Sequence, residues 1–316
     1  MAEKIGLQKR ITQLRGEYPG QFWLLFWGMM ISTIGASMIW PFLMVYVSGQ
    51  LDLPMTAIAS LLTVNAATTL FSSFIAGPII DRSGRKLAMI VSLVLMGLTF
   101  LAMIPAKTLL GFGLLMAFRG LASPLYRIGT DAMLADLIPS HQRADAYALT
   151  RLSKNVGVAI GPAIGGFVAS ASYNIAFQIA AAGLFIFSLL ILFFAKETLP
   201  GSDPDDVEEK STLSSYRTIF QDRPFTLVAA GFLFVQIASA TVWVLLAVYA
   251  KDNFQVPESQ YGMIPMTNAI MVVLLQVFVT RHTKDKNSPL MMALGAAFYA
   301  VGVSSVAFGI GFWSFW

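Results

Sequence analysis

Nine long apolar stretches joined by short polar connectors constrain this chain more than any other feature. They cover about residues 22–47, 55–80, 87–105, 109–135, 147–169, 173–195, 225–250, 258–280 and 289–312. Crossing about 30 Å of bilayer hydrocarbon takes roughly 20 mostly apolar residues. Peptide groups in lipid must find partners within their own segment, so each stretch is expected to be a helix. Composition agrees: 56% of residues are hydrophobic and 12% are charged, with a mean hydropathy of +0.69. Soluble domains carry about 25% charged residues. The fold class is therefore an all-α membrane protein built as a helical bundle.

The net charge of +4 is not spread as a nucleic-acid binder would spread it. With the N-terminus placed in the cytoplasm, fifteen of the 21 Lys and Arg fall in inner connectors and only Lys107 and Lys251 fall outside. That asymmetry fixes an orientation by the positive-inside rule. The expected location is a bacterial inner (plasma) membrane, with the lipid bilayer and a small-molecule substrate as partners and no nucleic acid. Arg119, Arg127, Arg151 and Lys154 remain, inside the fourth and fifth predicted spans. The chain has no cysteine, and both histidines, His141 and His282, lie in connectors. No metal site and no cofactor are expected. With no Gly-x-Ser-x-Gly elbow and no phosphate-binding loop, no catalytic residue is expected either.

One long polar interval, 196–224, divides six spans from three and carries the acidic run Asp203, Asp205, Asp206, Glu208 and Glu209. The organisation predicted is an amphipathic lead-in over 1–21, a six-helix bundle over 22–195, a linker over 196–224 and a partial second bundle over 225–316. No cleavable signal peptide is expected, because the first 20 residues are polar and charged. Spans one to three start near 22, 55 and 87, and spans seven to nine near 225, 258 and 289. The offsets, 203, 203 and 202, indicate an internal repeat. A second half matching the first would hold three more helices after the ninth.

Residues 77–86 read Gly-Pro-Ile-Ile-Asp-Arg-Ser-Gly-Arg-Lys, a tight basic turn between the second and third spans. Gly77-x-x-x-Asp81-Arg82-x-Gly84-Arg85-Lys86 resembles the signature loop of the major facilitator superfamily. Gly157-x-x-x-Gly161-Pro162-x-x-Gly165-Gly166 in the fifth span is similar to that family's antiporter motif, typical of drug:proton exchangers. Asp136-Leu-Ile-Pro139 followed by Arg143 resembles the family's helix 4–5 loop. Arg119 stands where many members carry a helix-four arginine implicated in proton coupling, although Pro124 and Arg127 break the glycine pattern after it. The resemblance covers about 20–316. It implies a rocker-switch transporter of two six-helix bundles, apparently lacking its last three helices. It also implies that the 77–86 loop latches the bundles, against an eleventh helix that this chain does not contain.

The residues themselves support specific expectations. Gly77 and Gly84 are expected to relax the backbone in the turn, with Asp81 paired to Arg82, Arg85 or Lys86; a plain topology anchor is the alternative. Glycines 157, 161 and 165 form a groove for close helix approach, kinked at Pro162. Its expected partner is the eighth helix, in the other bundle; static packing is the alternative. Ionisable groups inside the bilayer mark functional sites by default. Arg119 lies about 15 Å into its span, and Ser123, Arg127 and Asp131 follow at four-residue steps as an expected polar stripe. The coupling candidates are Arg119, Arg127, Asp131 and Arg151. Asp131 is the protonatable group and Arg119 its modulator or a substrate contact; the alternative is a self-neutralising charge cluster. The first span has no acid, so Asp131 is the one strong proton carrier.

The expected cavity lining is Met38, Trp40, Tyr46, Asn65, Tyr126, Gln236 and Trp243. Amphipathic aromatics and adaptable methionines suit bulky apolar ligands, although lipid-facing or interfacial-belt placement is the alternative for each. The function expected is secondary active efflux of small apolar or amphipathic compounds, driven by the proton gradient. The alternatives are a facilitator or importer of a metabolite, or a truncated bundle that transports nothing.

Overall fold

The computed structural model describes residues 16–51, 53–199, 221–256, 260, 263–283 and 286–315. Among them every regular element is helical. The chain forms two compact units, Met1–Pro200 and Gly201–Trp316.

The first unit holds α1 (Gly20–Ile39), α2 (Leu43–Gln50), α3 (Met55–Ser83), α4 (Arg85–Met103), α5 (Leu109–Leu137), α6 (Arg143–Ala171) and α7 (Tyr173–Phe194). The first predicted span is thus two helices. Pro41 has no backbone N–H to continue the α-helical ladder, and Trp40–Phe42 pass through one 3-10 turn before α2 resumes. Hydroxyls start α5 and α7: Thr108 accepts from the Gly111 N–H at 3.1 Å and Ser172 from the Ile175 N–H at 3.4 Å.

Packing follows the small residues. α1 lies against α6 and α7, α4 against α5 and α7, and α3 against α5. Phe22, Phe100, Phe112, Phe177 and Phe187 fill the centre and are fully buried. Interhelical hydroxyl bonds add polar links between spans. Ser72 on α3 donates to the Leu121 carbonyl, and Ser92 on α4 to the Ala122 carbonyl, both at 2.6 Å. Ser153 on α6 donates to Phe26 on α1 at 2.6 Å. Outward faces are apolar, as Leu70, Phe71 and Phe74 on α3 show.

The second unit contains α8 (Arg223–Phe254), α9 (Met263–Thr283), α10 (Ser288–Ser305) and the short α11 (Phe312–Phe315). Phe315 packs against Tyr249 and Phe254, with ring centroids 5.9 and 5.2 Å away. α8 and α10 start at 223 and 288, each 203 residues after α1 and α4 at 20 and 85. The lead-in up to residue 15 and most of the linker lie outside the described residues. Among the described residues, seven helices are long and apolar enough to cross a membrane.

Candidate functional site

The predicted 77–86 turn is shorter than its motif. α3 continues through Gly77, Pro78, Asp81 and Arg82 to Ser83, and only Gly84 breaks the helix. Gly84 has φ +89 and ψ 150, a conformation that costs a side-chain-bearing residue strain. A Cβ there would also press on the Glu197 carboxylate. Gly77, by contrast, is helical and a Cβ on it would meet nothing within 4 Å. Its expected role in bending the backbone is therefore corrected: Pro78 lacks a donor but does not end the helix. Asp81 and Arg82 are exposed, and Asp81 forms no ion pair among the described residues.

Arg85 turns away from Asp81 and pairs instead with Asp136 at the end of α5. Its Nη1 also donates to the Ala132 carbonyl at 3.4 Å. The start of α4 has no side-chain cap of its own. Glu197, beyond the end of α7, supplies one. Its Oε1 accepts from the Arg85 N–H at 3.1 Å, and its Oε2 from the Lys86 N–H at 3.0 Å. Oε1 also accepts from Thr198 and Leu199, at 2.8 and 3.0 Å. A carboxylate at a helix N-terminus meets both free N–H groups and the positive end of the dipole. Partial burial pushes this carboxyl's pKa up. The N–H donors of Leu199, Lys86, Thr198 and Arg85 outweigh that and hold it below its ordinary value. Gln21 closes the lattice: its Nε2 donates to the Lys196 carbonyl at 2.8 Å, and its Oε1 accepts from the Lys196 N–H at 3.1 Å.

Sequence reasoning missed Glu197 and Gln21. The one available signal was an acid directly after a long apolar span, opposite a helix start with no capping side chain. Asp136 was legible as part of a motif, but not as the partner of Arg85, 51 positions earlier.

The polar stripe on α5 does not hold together. Arg119 is buried, Ser123 and Asp131 are half-buried, and Arg127 is exposed. Steps of four residues advance a helix about 400°, so the row drifts about 40° per step and Asp131 sits about 120° around from Arg119. Arg127 and Asp131 form no ion pair among the described residues. The charges of Lys154 and Arg127 do act on Asp131, and its carbonyl accepts from the Tyr147 hydroxyl at 2.9 Å. Arg151 is exposed on α6.

Arg119 is the unusual group. It is 8% exposed, and its Nη1 is buried with no hydrogen-bond partner. Two rings face it instead. The guanidinium carbon is 4.5 Å from the Phe100 ring centroid and 5.5 Å from that of Trp40. The 3-10 turn at Pro41 delivers Trp40 to this position.

The helix-five glycines are committed to α1. Side chains at Gly157, Gly161 and Gly165 would collide with Thr33, with Ser37 and Ile34, and with the Met38 backbone. Ser37 donates to the Gly157 carbonyl at 3.1 Å. The expected contact with the eighth helix is thus corrected: α1 already fills the groove. A Cβ on Gly166 would meet the Phe42 ring at an ordinary 3.4 Å, and Pro162 lies inside a continuous α6.

The proposed cavity residues divide. Met38 is buried against Gly165, so it packs and does not line. The Asn65 amide donates to the Met116 carbonyl at 3.0 Å. Tyr126 is half-buried, edge-on to Phe187 at 6.0 Å. Tyr46 belongs to the opposite end of the bundle. It sits among Phe112, Tyr173 and Phe177, and its hydroxyl donates to the carbonyls of Met103 and Ile104. A shallow depression of about 350 Å³ there is lined by Tyr46, Gly49, Gln50, Ser172, Tyr173 and Asn174. Gln236 is exposed within its unit, and the Trp243 side chain lies outside the described residues. Trp40 alone stands beside a buried charge.

A sequence profile of the Major Facilitator Superfamily matches residues 25–316. The chain belongs to that superfamily. It is an integral membrane transporter of small molecules, all-α, and not an enzyme. An uncharacterised MFS-type transporter of Bacillus subtilis is 22% identical over 294 residues, covering 93% of this chain and 72% of that protein. The Na(+), Li(+), K(+)/H(+) antiporter of Planococcus maritimus is 24% identical, covering 88% of this chain and 72% of that protein. The quinolone resistance protein NorA of Staphylococcus aureus is 23% identical, covering 93% and 75%. The crystal structure of the human organic anion transporter MFSD10 matches with a TM-score of 0.62 at 16% identity, over 82% of this chain and 71% of that one. That likeness concerns the fold.

Proposed function

We propose that the chain exports small amphipathic compounds from the cytoplasm in exchange for protons, by alternating access, with its N-terminus cytoplasmic. The observation that carries the reading is the charge inventory of the first unit's spans. Beside the cations there is, among the described residues, one half-buried acid, Asp131, in the last third of α5 and in the field of Lys154 and Arg127. A carboxyl so placed is the natural proton carrier, because ionisable groups are expensive within a bilayer and are kept for function. The names of the antiporter and drug-resistance relatives support exchange and export. The basic connectors support the orientation.

The test is dye flux in proteoliposomes under an imposed pH jump. Flux should follow the gradient in the wild type and lose that dependence in Asp131→Asn. Equal, gradient-independent flux in both proteins would make the chain a facilitator and remove the coupling claim.

A further inference from the structure

We propose that Arg119 and Trp40 form a carboxylate-binding subsite, so that the transported compounds are lipophilic organic anions in preference to cations. This rests on the transporter reading and adds the sign of charge to it.

Arg119 makes no hydrogen bond and no ion pair among the described residues, although it is 8% exposed. A guanidinium keeps its charge and offers five N–H donors in a planar fork. A buried charge is tolerated when it is paired. Among the described residues the neighbours that steady it are two aromatic faces, Phe100 at 4.5 Å and Trp40 at 5.5 Å. Such contacts steady a cation but leave its N–H donors unused.

Among the described residues no carboxylate takes those donors. Helices α1 to α7 of the first unit carry four acids, Asp81, Asp131, Asp136 and Asp145; Asp81 is exposed at the end of α3 and Asp145 is exposed in the first turn of α6. Asp136 is held by Arg85. Asp131 lies twelve residues further along α5, about 18 Å along the axis and on another face. The middle of this bundle therefore carries one uncompensated positive charge in a low-dielectric setting. A ligand cation would be repelled there. A ligand carboxylate would accept the fork in charge-assisted hydrogen bonds. Trp40 supplies the second half of the recognition. It is 43% exposed, which leaves ring surface for the apolar body of such an anion.

The experiment uses three naphthyl probes of one shape: 1-naphthylacetate, its methyl ester and 1-naphthylmethylammonium. Binding to the purified full chain is read by equilibrium dialysis. The carboxylate should bind about tenfold or more tighter than the ester, and the ammonium more weakly than either. Arg119→Gln should bring the carboxylate down to the ester's affinity. Arg119→Lys should keep the order of the three probes with a smaller gap, since a point charge replaces the fork. If Arg119→Gln does not fold, the wild-type order and the Lys variant decide. Equal or tighter binding of the ammonium by the wild type overturns the proposal. So does a carboxylate preference that survives in Arg119→Gln. Failure here would leave gradient-driven flux through Asp131 intact. Loss of gradient-driven flux with the probe order preserved would remove the coupling reading alone.

Discussion

Replacing Glu197 tests whether the start of α4 is held by a residue 112 positions away. Glu197→Ala removes the acceptor of the Arg85 and Lys86 N–H groups. Capping substitutions of this kind cost about 1 kcal/mol. Loss of a surface carboxylate at a helix N-terminus adds about 0.3–1 kcal/mol. The sum is about 1–2 kcal/mol. At roughly 2–4 °C per kcal/mol for a unit of this length, the purified protein should melt about 2–8 °C lower. Glu197→Gln keeps an acceptor and should lose less than half of that. The pH dependence has a defined sign. The folded-state pKa lies below the ordinary 4.5, so the carboxylate's contribution is present above 4.5 and is lost as the pH falls through the lower, folded value. The melting gap between wild type and Glu197→Gln should therefore shrink below pH 4.5. A gap that widens in acid, or an unchanged melting temperature for Glu197→Ala, would refute the capping role.

Two glycine comparisons extend this. Gly165→Ala should destabilise by about 1–3 kcal/mol, because its Cβ would strike the Met38 backbone, while Gly166→Ala should be close to neutral; thermal melts of the pair decide it. Gly84→Ala should cost about 1–2 kcal/mol through its positive φ, whereas Gly77→Ala should be neutral or gain about 0.5–1 kcal/mol as a helix interior residue. Equal effects at Gly77 and Gly84 would contradict the placement of the turn.

What the sequence made legible was local. Apolar run lengths located every long helix, because each span must satisfy its own backbone. The interruption at Pro41 is not legible in hydropathy because residues 22–47 carry no charge on either side of it, and hydropathy does not register a missing donor. The turn was placed too early because Gly77 and Pro78 are strong breakers in isolation, yet α3 passes through both. Contacts between distant segments were the least legible. The glycines of α6 announced a groove but not α1 as its occupant. Nothing near Arg85 announced Asp136 or Glu197. Four-residue spacing placed Arg119 and Asp131 on one stripe, and the helix's own angular drift separated them. The isolation of Arg119 became visible only once its neighbours were known to be Phe100 and Trp40.

Lys196 and Glu197 stand where the chain leaves the first unit. One is gripped by Gln21 through both its main-chain groups, the other by the opening turn of α4. A pull arriving through the chain beyond Leu199 would not unzip α7 from its loose end. It would load the feet of α1 and α4 at once, 175 and 112 residues upstream. The exit of the bundle is thus a mooring, able to pass mechanical load into the helix that leads up to Trp40 and the helix that carries Phe100.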